Sequence, residues 1–126
     1  MNILVAVDLS TASKKVVKAA GSVARLTGAE VYVIHIAEPE PDFVGYDAGP
    51  EVVRTQVAQE LRREHRSVQA LAEMLREDGI KATALLVRGP TVATTLKEAE
   101  SLECELIVVG THGHGDVVTH GELIEE

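Results

Sequence analysis

Two kinds of apolar pattern alternate along the chain. Short runs that are wholly or mostly apolar occur four times, and such runs are typical of the buried strands of a parallel sheet. They cover residues 3–7, 31–36, 80–87 and 106–109. Between them, apolar residues recur at spacings of three and four, which predicts amphipathic helices. The predicted helices run from the candidate caps Ser10, Thr11 and Ser13 to Gly28, from about Glu51 to Asp78, and from Gly89-Pro90 through Val92, Leu96, Ala99 and Leu102.

This alternation of strands and helices predicts an α/β fold. Right-handed crossovers would join the strands into a doubly wound, mainly parallel Rossmann-like sheet, covered on both faces as a three-layer sandwich. Ligands bind such sheets beyond the carboxyl ends of the strands, where the strand order reverses. Asp8, the 38–50 loop, Gly89 and the glycines after Val109 all follow predicted strands. We therefore expect them at one edge of a single domain, residues 1–126.

Composition narrows the classes of function. The chain is 45% hydrophobic and 25% charged, which is a globular balance. A net charge of −8 and only 2% aromatic residues disfavour nucleic-acid partners, which need basic surfaces and stacking platforms. Cys104 has no second cysteine to pair with, and no apolar run is long enough to span a bilayer. We expect a cytoplasmic protein without a membrane partner, in which Cys104 is a small buried residue.

A glycine cluster follows the fourth predicted strand directly. Gly110-Thr111-His112-Gly113-His114-Gly115 could turn its backbone N–H groups toward an anion, which favours a phosphate cradle over a mere flexible connector. Neither the P-loop lysine with its Mg²⁺-binding hydroxyl nor the dinucleotide fingerprint is present. Since no catalytic residue stands out, we expect binding rather than enzymatic turnover, with weak ATP hydrolysis and a role for Mg²⁺ both left open.

Four segments carry a family resemblance: Asp8-Leu9-Ser10, Val33-Ile34-His35-Ile36, Val87-Arg88-Gly89-Pro90 and Ile107-Val108-Val109-Gly110-Thr111-His112-Gly113. Together they resemble the universal stress protein family, from Met1 to about Gly115. The resemblance implies a five-stranded parallel sheet, a homodimer and, in one branch, an ATP or other adenine-nucleotide site marked by G-x2-G-x9-G-[ST]. It further implies that Asp8 lies by the ribose and adenine, that Ile36 offers main-chain contacts to the base, and that Val109, Gly110, His112 and Gly113 bound the ribose and phosphates.

The end of the chain departs from that signature. Leu123 and Ile124 stand where the family would place Gly and Ser or Thr, and the nearest glycine, Gly121, is followed by Glu122. A carboxylate disfavours a triphosphate there, so the adenosine end should bind better than the γ-phosphate. The family's fifth strand and closing helix also have no counterpart in the off-pattern residues 115–126.

The missing fifth strand would expose the fourth as a sheet edge. An uncovered strand at 106–109 invites pairing with another chain. The β-branched segment 117–119 could substitute for the missing strand, either within its own chain or on a partner. We therefore expect self-association, at least to a dimer.

Two further groups of residues have weaker interpretations. The set His112, His114, Asp116 and His120 matches no metal spacing, so no metal site is predicted. His35 is interpreted as a satisfied core histidine, and without a nucleophile elbow it forms no hydrolase triad with Ser10 and Asp8. Two hypotheses remain: a regulatory protein that binds an adenine nucleotide, or a dimeric stress-response interaction module with a vestigial pocket.

Overall fold

The predicted alternation of strands and helices is confirmed. The computed structural model describes residues 1–37, 50–111, 114–119 and 122–124, with side chains described for 1–37 and 56–110. Its elements are β1 (Asn2–Ala6), α1 (Ser13–Thr27), β2 (Glu30–Ala37), α2 (Pro50–Glu77), β3 (Ala82–Arg88), α3 (Thr91–Ser101), β4 (Leu106–Thr111), β5 (His114–Thr119) and β6 (Glu122–Ile124).

The strands form one sheet in the order β3-β2-β1-β4-β5-β6. The first four are parallel, as the apolar runs alternating with helices predict. The chain builds outward from β1 through β2 to β3 and then returns to place β4 on the other side of β1. The strand order therefore reverses between β1 and β4, and a ligand crevice is expected at their carboxyl ends.

Alternate residues of the strands enter two separate cores. On one face, Ile3 and Val5 of β1 pack with buried residues of α1 and α2, among them Val17 and Leu71. On the other face, the completely buried Leu4 packs with Ile34, Ile36 and Ile107 and with Ala99 of α3. The sheet thus lies between two helical layers, which is the predicted three-layer sandwich.

The fourth parallel strand is not the free edge that the sequence suggested. β5 pairs antiparallel with β4, from Leu106↔Thr119 to Thr111↔His114, and β6 pairs antiparallel with β5. The substitute strand is therefore formed within its own chain and is longer than the predicted 117–119. Antiparallel pairing needs only a short connection, whereas a parallel fifth strand needs a crossover of a dozen or more residues. Self-association no longer follows from an exposed β4.

Glycine ends two of the helices as predicted, but the predicted serine cap of α1 does not form. Gly28 has φ 73° and donates its N–H to the Ala24 carbonyl, and Gly79 has φ 81° just beyond α2. At the start of α1 the cap residue is Ala12, without a side-chain hydrogen bond. No helix in the described ranges has the length and hydropathy required to cross a membrane.

Candidate functional site

A groove of about 630 Å³ opens at the carboxyl ends of β1, β2 and β4, beside α3. It lies at the point where the strand order reverses. Four of the predicted site residues line it: Asp8, Ile36, Val109 and Gly110. The remaining two, His112 and Gly113, lie outside the described residues. Residues distant in the sequence are thus brought to one place.

The walls of this groove are largely apolar. Ile36 and Ile107 contribute from the sheet, while Val92 and Leu96 contribute from α3. These two α3 side chains are 73% and 52% exposed, which is unusual for large aliphatic residues one turn apart. A planar apolar ring inserted between helix and sheet would remove them from water. From the sequence, Val92 and Leu96 were indistinguishable from the core stripe of α3, because spacing alone does not show which apolar positions remain uncovered.

Ile36 presents its main chain toward the groove. The N–H of Val31 donates to the O atom of Lys81, just before β3, whereas Ile34 O accepts a hydrogen bond from Val7 N–H on the β1 side. Main-chain groups of a strand alternate between its two neighbours, so the N–H and C=O of Ile36 face the side on which β1 has ended. A ligand there can meet a donor and an acceptor from one residue.

Asp8 stands in a tight corner between β1 and α1. Its Oδ1 accepts hydrogen bonds from Ser10 N–H at 2.9 Å and Ser13 Oγ at 3.3 Å. Leu9 between them has φ 63°, a left-handed conformation that is costly for a branched side chain. Hydrogen bonds from the Ser10 hydroxyl and N–H, then from Ser13, lower the pKa of Asp8 despite partial desolvation. An ionised acceptor is therefore held at the mouth of the groove.

A second cavity of about 330 Å³ adjoins the first around the start of α1. Asp8 and Gly110 line both cavities, while Ser10, Thr11 and Ser13 line only the second. The first N–H groups of a helix favour anions. No lysine or arginine is among the described residues that line either cavity. The pair of cavities offers an apolar compartment next to a polar one.

The glycine at position 110 has a packing reason of its own. A β-carbon there would lie 2.4 Å from Val16 Cγ2. Val16 is buried in the core between α1 and the sheet, so the helix can approach β4 only because residue 110 lacks a side chain. From the sequence, this glycine was interpreted as part of an anion cradle rather than a flexible connector, and its contact with Val16 carried no local signal.

His35 is the satisfied histidine that the sequence predicted. Its Nδ1 lies 2.8 Å from Val7 O. Cys104 is also buried as expected, and burial raises the pKa of its thiol to about 11. Across the described residues, no group of three or more His, Cys, Asp or Glu could hold a metal ion. The side chains of the weak set at 112–120 lie outside the described part of the chain.

The sequence matches one protein-family model over most of its length. The model of the universal stress protein family matches residues 1–119. The chain belongs to the universal stress protein family. A universal stress protein from Thermus aquaticus, described by its position in the 3′ region of a sulfhydrylase gene, is 34% identical over 116 residues, which are 91% of this chain and 80% of that protein. Universal stress protein A homolog 1 from Coxiella burnetii is 32% identical over 90% of this chain and 77% of its own length.

Solved structures of the family share the fold. A universal stress protein from Archaeoglobus fulgidus in complex with dAMP has a TM-score of 0.62 at 24% identity, covering 87% of this chain and 80% of that one. An Arabidopsis thaliana family member with AMP bound has a TM-score of 0.66 at 17% identity, covering 90% and 78%. At these identities the likeness establishes the α/β architecture and no more.

Proposed function

We propose that this universal stress protein binds an adenine nucleotide in the groove and does not turn it over efficiently. The observation that carries the proposal is the convergence of Asp8, Ile36, Val109 and Gly110 on one apolar groove at the strand-order reversal. Relatives whose structures were solved with dAMP and with AMP support adenine as the base.

Each compartment suits one part of such a ligand. The adenine ring would lie between the aliphatic side chains of α3 and Ile36, with the Ile36 main chain reading the edge of the base. Asp8 Oδ1 is already hydrogen-bonded to Ser10 and Ser13, so the ionised carboxylate would accept a ribose hydroxyl through Oδ2. The α-phosphate would lie toward the start of α1 and Gly110.

Binding without turnover follows from the charges near the phosphate compartment. Hydrolysis of a triphosphate needs cations that neutralise the developing charge. The described lining supplies none, and Glu122 stands in the sequence near the position where the family signature has a hydroxyl residue. AMP and ADP should therefore bind at least as well as ATP.

A second candidate function is a self-associating interaction module whose pocket is vestigial. One observation favours it: Gly110 is explained by its contact with Val16, so the first glycine of the motif requires no ligand. This hypothesis expects a dimer in solution with no bound nucleotide.

Calorimetric titration of the whole chain with AMP, ADP and ATP tests the proposal, together with ultraviolet absorbance of any nucleotide released on denaturation. Leu96→Gln removes a half-exposed aliphatic wall and should weaken AMP binding roughly three- to tenfold. The matched control is Leu26→Gln, because Leu26 is 89% exposed and absent from the groove lining. Binding of ATP far tighter than of AMP would contradict the proposal, and the absence of any binding at millimolar nucleotide would favour the interaction module.

A further inference from the structure

His35 and Glu64 lie close together next to the corner of the chain that carries Asp8. His35 Nε2 lies 3.7 Å from Glu64 Oε2, and the two side chains are only 14% and 22% exposed. Glu64 Oε2 is buried and accepts no hydrogen bond within the described part of the chain. A buried carboxylate oxygen without a donor is costly, so the state of His35 decides how well Glu64 is satisfied.

The contact of His35 Nδ1 with a carbonyl determines what Nε2 can present to Glu64. Nδ1 lies 2.8 Å from Val7 O, and a carbonyl can only accept, so Nδ1 carries a hydrogen. In the neutral ring, Nε2 then presents a lone pair toward Glu64 Oε2. In the protonated ring, Nε2–H faces the carboxylate as an ion pair. One proton between these two atoms therefore converts a repulsive contact into an attractive one.

We propose that a proton held between His35 and Glu64 clamps the Val7–Asp8 corner of the groove. Both backbone groups of Val7 are hydrogen-bonded to β2. Its N–H donates to Ile34 O at 2.9 Å, and its C=O accepts from His35 Nδ1. Asp8 is the next residue and lines the groove. His35 thus acts as a positioning residue for Asp8, because it holds the carbonyl from which the Asp8 backbone continues.

The pair makes the corner sensitive to pH. Histidine is the side chain that ordinarily changes charge between pH 5 and 8. Loss of the Nε2 proton leaves the imidazole facing an unneutralised carboxylate, which weakens its hold on Val7 O. The effect on nucleotide affinity rests on the function proposed above, whereas the clamp itself does not.

Other charged groups around the pair are exposed and so are screened by solvent. On the neighbouring elements they include Asp8 after β1, Arg88 at the end of β3, Lys14, Lys15 and Lys18 on α1, and Glu60, Arg62, Arg63, His65 and Arg66 on α2. Glu64, in contrast to these exposed groups, is largely buried. The matched control follows from this contrast: Glu60 lies one turn before Glu64, is 52% exposed and pairs with Arg63 at 3.6 Å.

Nuclear magnetic resonance of the ligand-free chain tests the clamp directly. We expect the imidazole nitrogen shifts of His35 to show a hydrogen on Nδ1 at every pH from 5.5 to 8.5, and the same spectra report when Nε2 loses its proton. The backbone amides of Asp8 and Ser10 should shift with the same midpoint. The Asp8 carboxyl titrates below this window, since hydrogen bonding lowers its pKa. Glu64→Gln should abolish the amide shifts, because its amide can donate to neutral Nε2, and Glu60→Gln should preserve them. A bare Nδ1, or unchanged amide titration in Glu64→Gln, would overturn the clamp.

Adenosine then tests the link to binding, because it has no phosphate that titrates in this window. We expect adenosine affinity to fall roughly two- to tenfold from pH 6 to 8.5 in the unmodified chain and in Glu60→Gln. In Glu64→Gln the affinity should be independent of pH. Adenosine binding with equal pH dependence in all three proteins would refute the regulatory role. If no protein binds adenosine at any pH, the proposed function fails, and the resonance experiment still decides on the clamp.

Discussion

The contact between Gly110 and Val16 provides a quantitative test of how α1 packs on the sheet. In Gly110→Ala the new methyl group would lie 2.4 Å from Val16 Cγ2, well inside the roughly 3.5 to 4.0 Å optimum for carbon atoms. Overpacking of this kind typically costs about 1 to 3 kcal/mol of unfolding free energy. Val16→Ala removes two methyl groups from a side chain that is 6% exposed, which costs about 1.5 to 3 kcal/mol.

The two substitutions should compensate when they are combined. Without Cγ2, the nearest remaining atom is Val16 Cβ at 3.6 Å, which is an ordinary van der Waals contact. The methyl group introduced at position 110 also fills part of the space that Val16 vacates. We therefore expect the double variant to lose only about 1 to 2 kcal/mol, with a coupling energy of at least about 1 kcal/mol between the sites.

Urea unfolding of the four proteins, followed by circular dichroism, measures this coupling. Val23→Ala combined with Gly110→Ala is the control, since Val23 lies further along α1, packs on the same core and is not among the nearest neighbours of position 110. That pair should be additive within about 0.5 kcal/mol. Additivity of Gly110→Ala with Val16→Ala would refute the packing explanation of the glycine.

Three further predictions concern other parts of the chain. Glu103 has φ 55° just after α3, so Glu103→Gly should stabilise the protein by about 0.5 to 1 kcal/mol in thermal unfolding. Glu100→Gly inside α3 is the control and should destabilise it by about 1 kcal/mol. The opposite order of stabilities would contradict the strain at Glu103. Cys104, with a thiol pKa of about 11, should react with a thiol reagent at pH 8 far more slowly in the native protein than in urea, and equal rates would show that it is not buried. Since the pKa of Asp8 is lowered by folding, its carboxylate stabilises the fold above the ordinary aspartate range. The stability difference between the unmodified chain and Asp8→Asn should shrink as the pH falls below about 4, and a constant difference would argue against the Ser10 and Ser13 hydrogen bonds.

The parallel part of the fold was predictable because β1, β2 and β4 are buried on both faces, while β3, at the edge of the sheet, has no fully buried residue but is still rich in apolar residues. Such strands require unbroken apolar runs, and no other soluble structure of that length fits the alternation with helices. Helix ends at Gly28 and Gly79 were predictable for a similarly local reason, since both glycines adopt positive φ. The hydrogen bonds at the start of α1 were ambiguous, because each serine hydroxyl could bond to a backbone N–H group or to Asp8. The Ser10 hydroxyl accepts from Ala12 N–H, whereas the Ser13 hydroxyl donates to the Asp8 carboxylate.

What the sequence could not predict depends on contacts between distant elements. The β-branched residues 117–119 suggested a short strand, but the extension of β5 back through Asp116 and Gly115 to His114 has no signal in the composition, and pairing with β4 determines it. The walls of the groove were hidden for a related reason: Val92 and Leu96 repeat with helical spacing whether or not another element covers them. His35 was recognised as satisfied, but its second partner, Glu64, lies on a different element far along the chain and carries no local signal.

Gly110 connects the packing of α1 to the two hypotheses on function. It contacts Val16 on one side and lines the groove on the other, so a glycine is explained by packing alone and its presence does not require a ligand. The double variant Gly110→Ala/Val16→Ala separates these roles, because it relieves the clash and still leaves a methyl group beside the groove. If the backbone at 110 approaches a phosphate closely, AMP affinity should fall in the double variant although stability is largely restored. If affinity is unchanged, the glycine serves the helix, and the nucleotide is held by the Asp8 corner and the α3 wall instead.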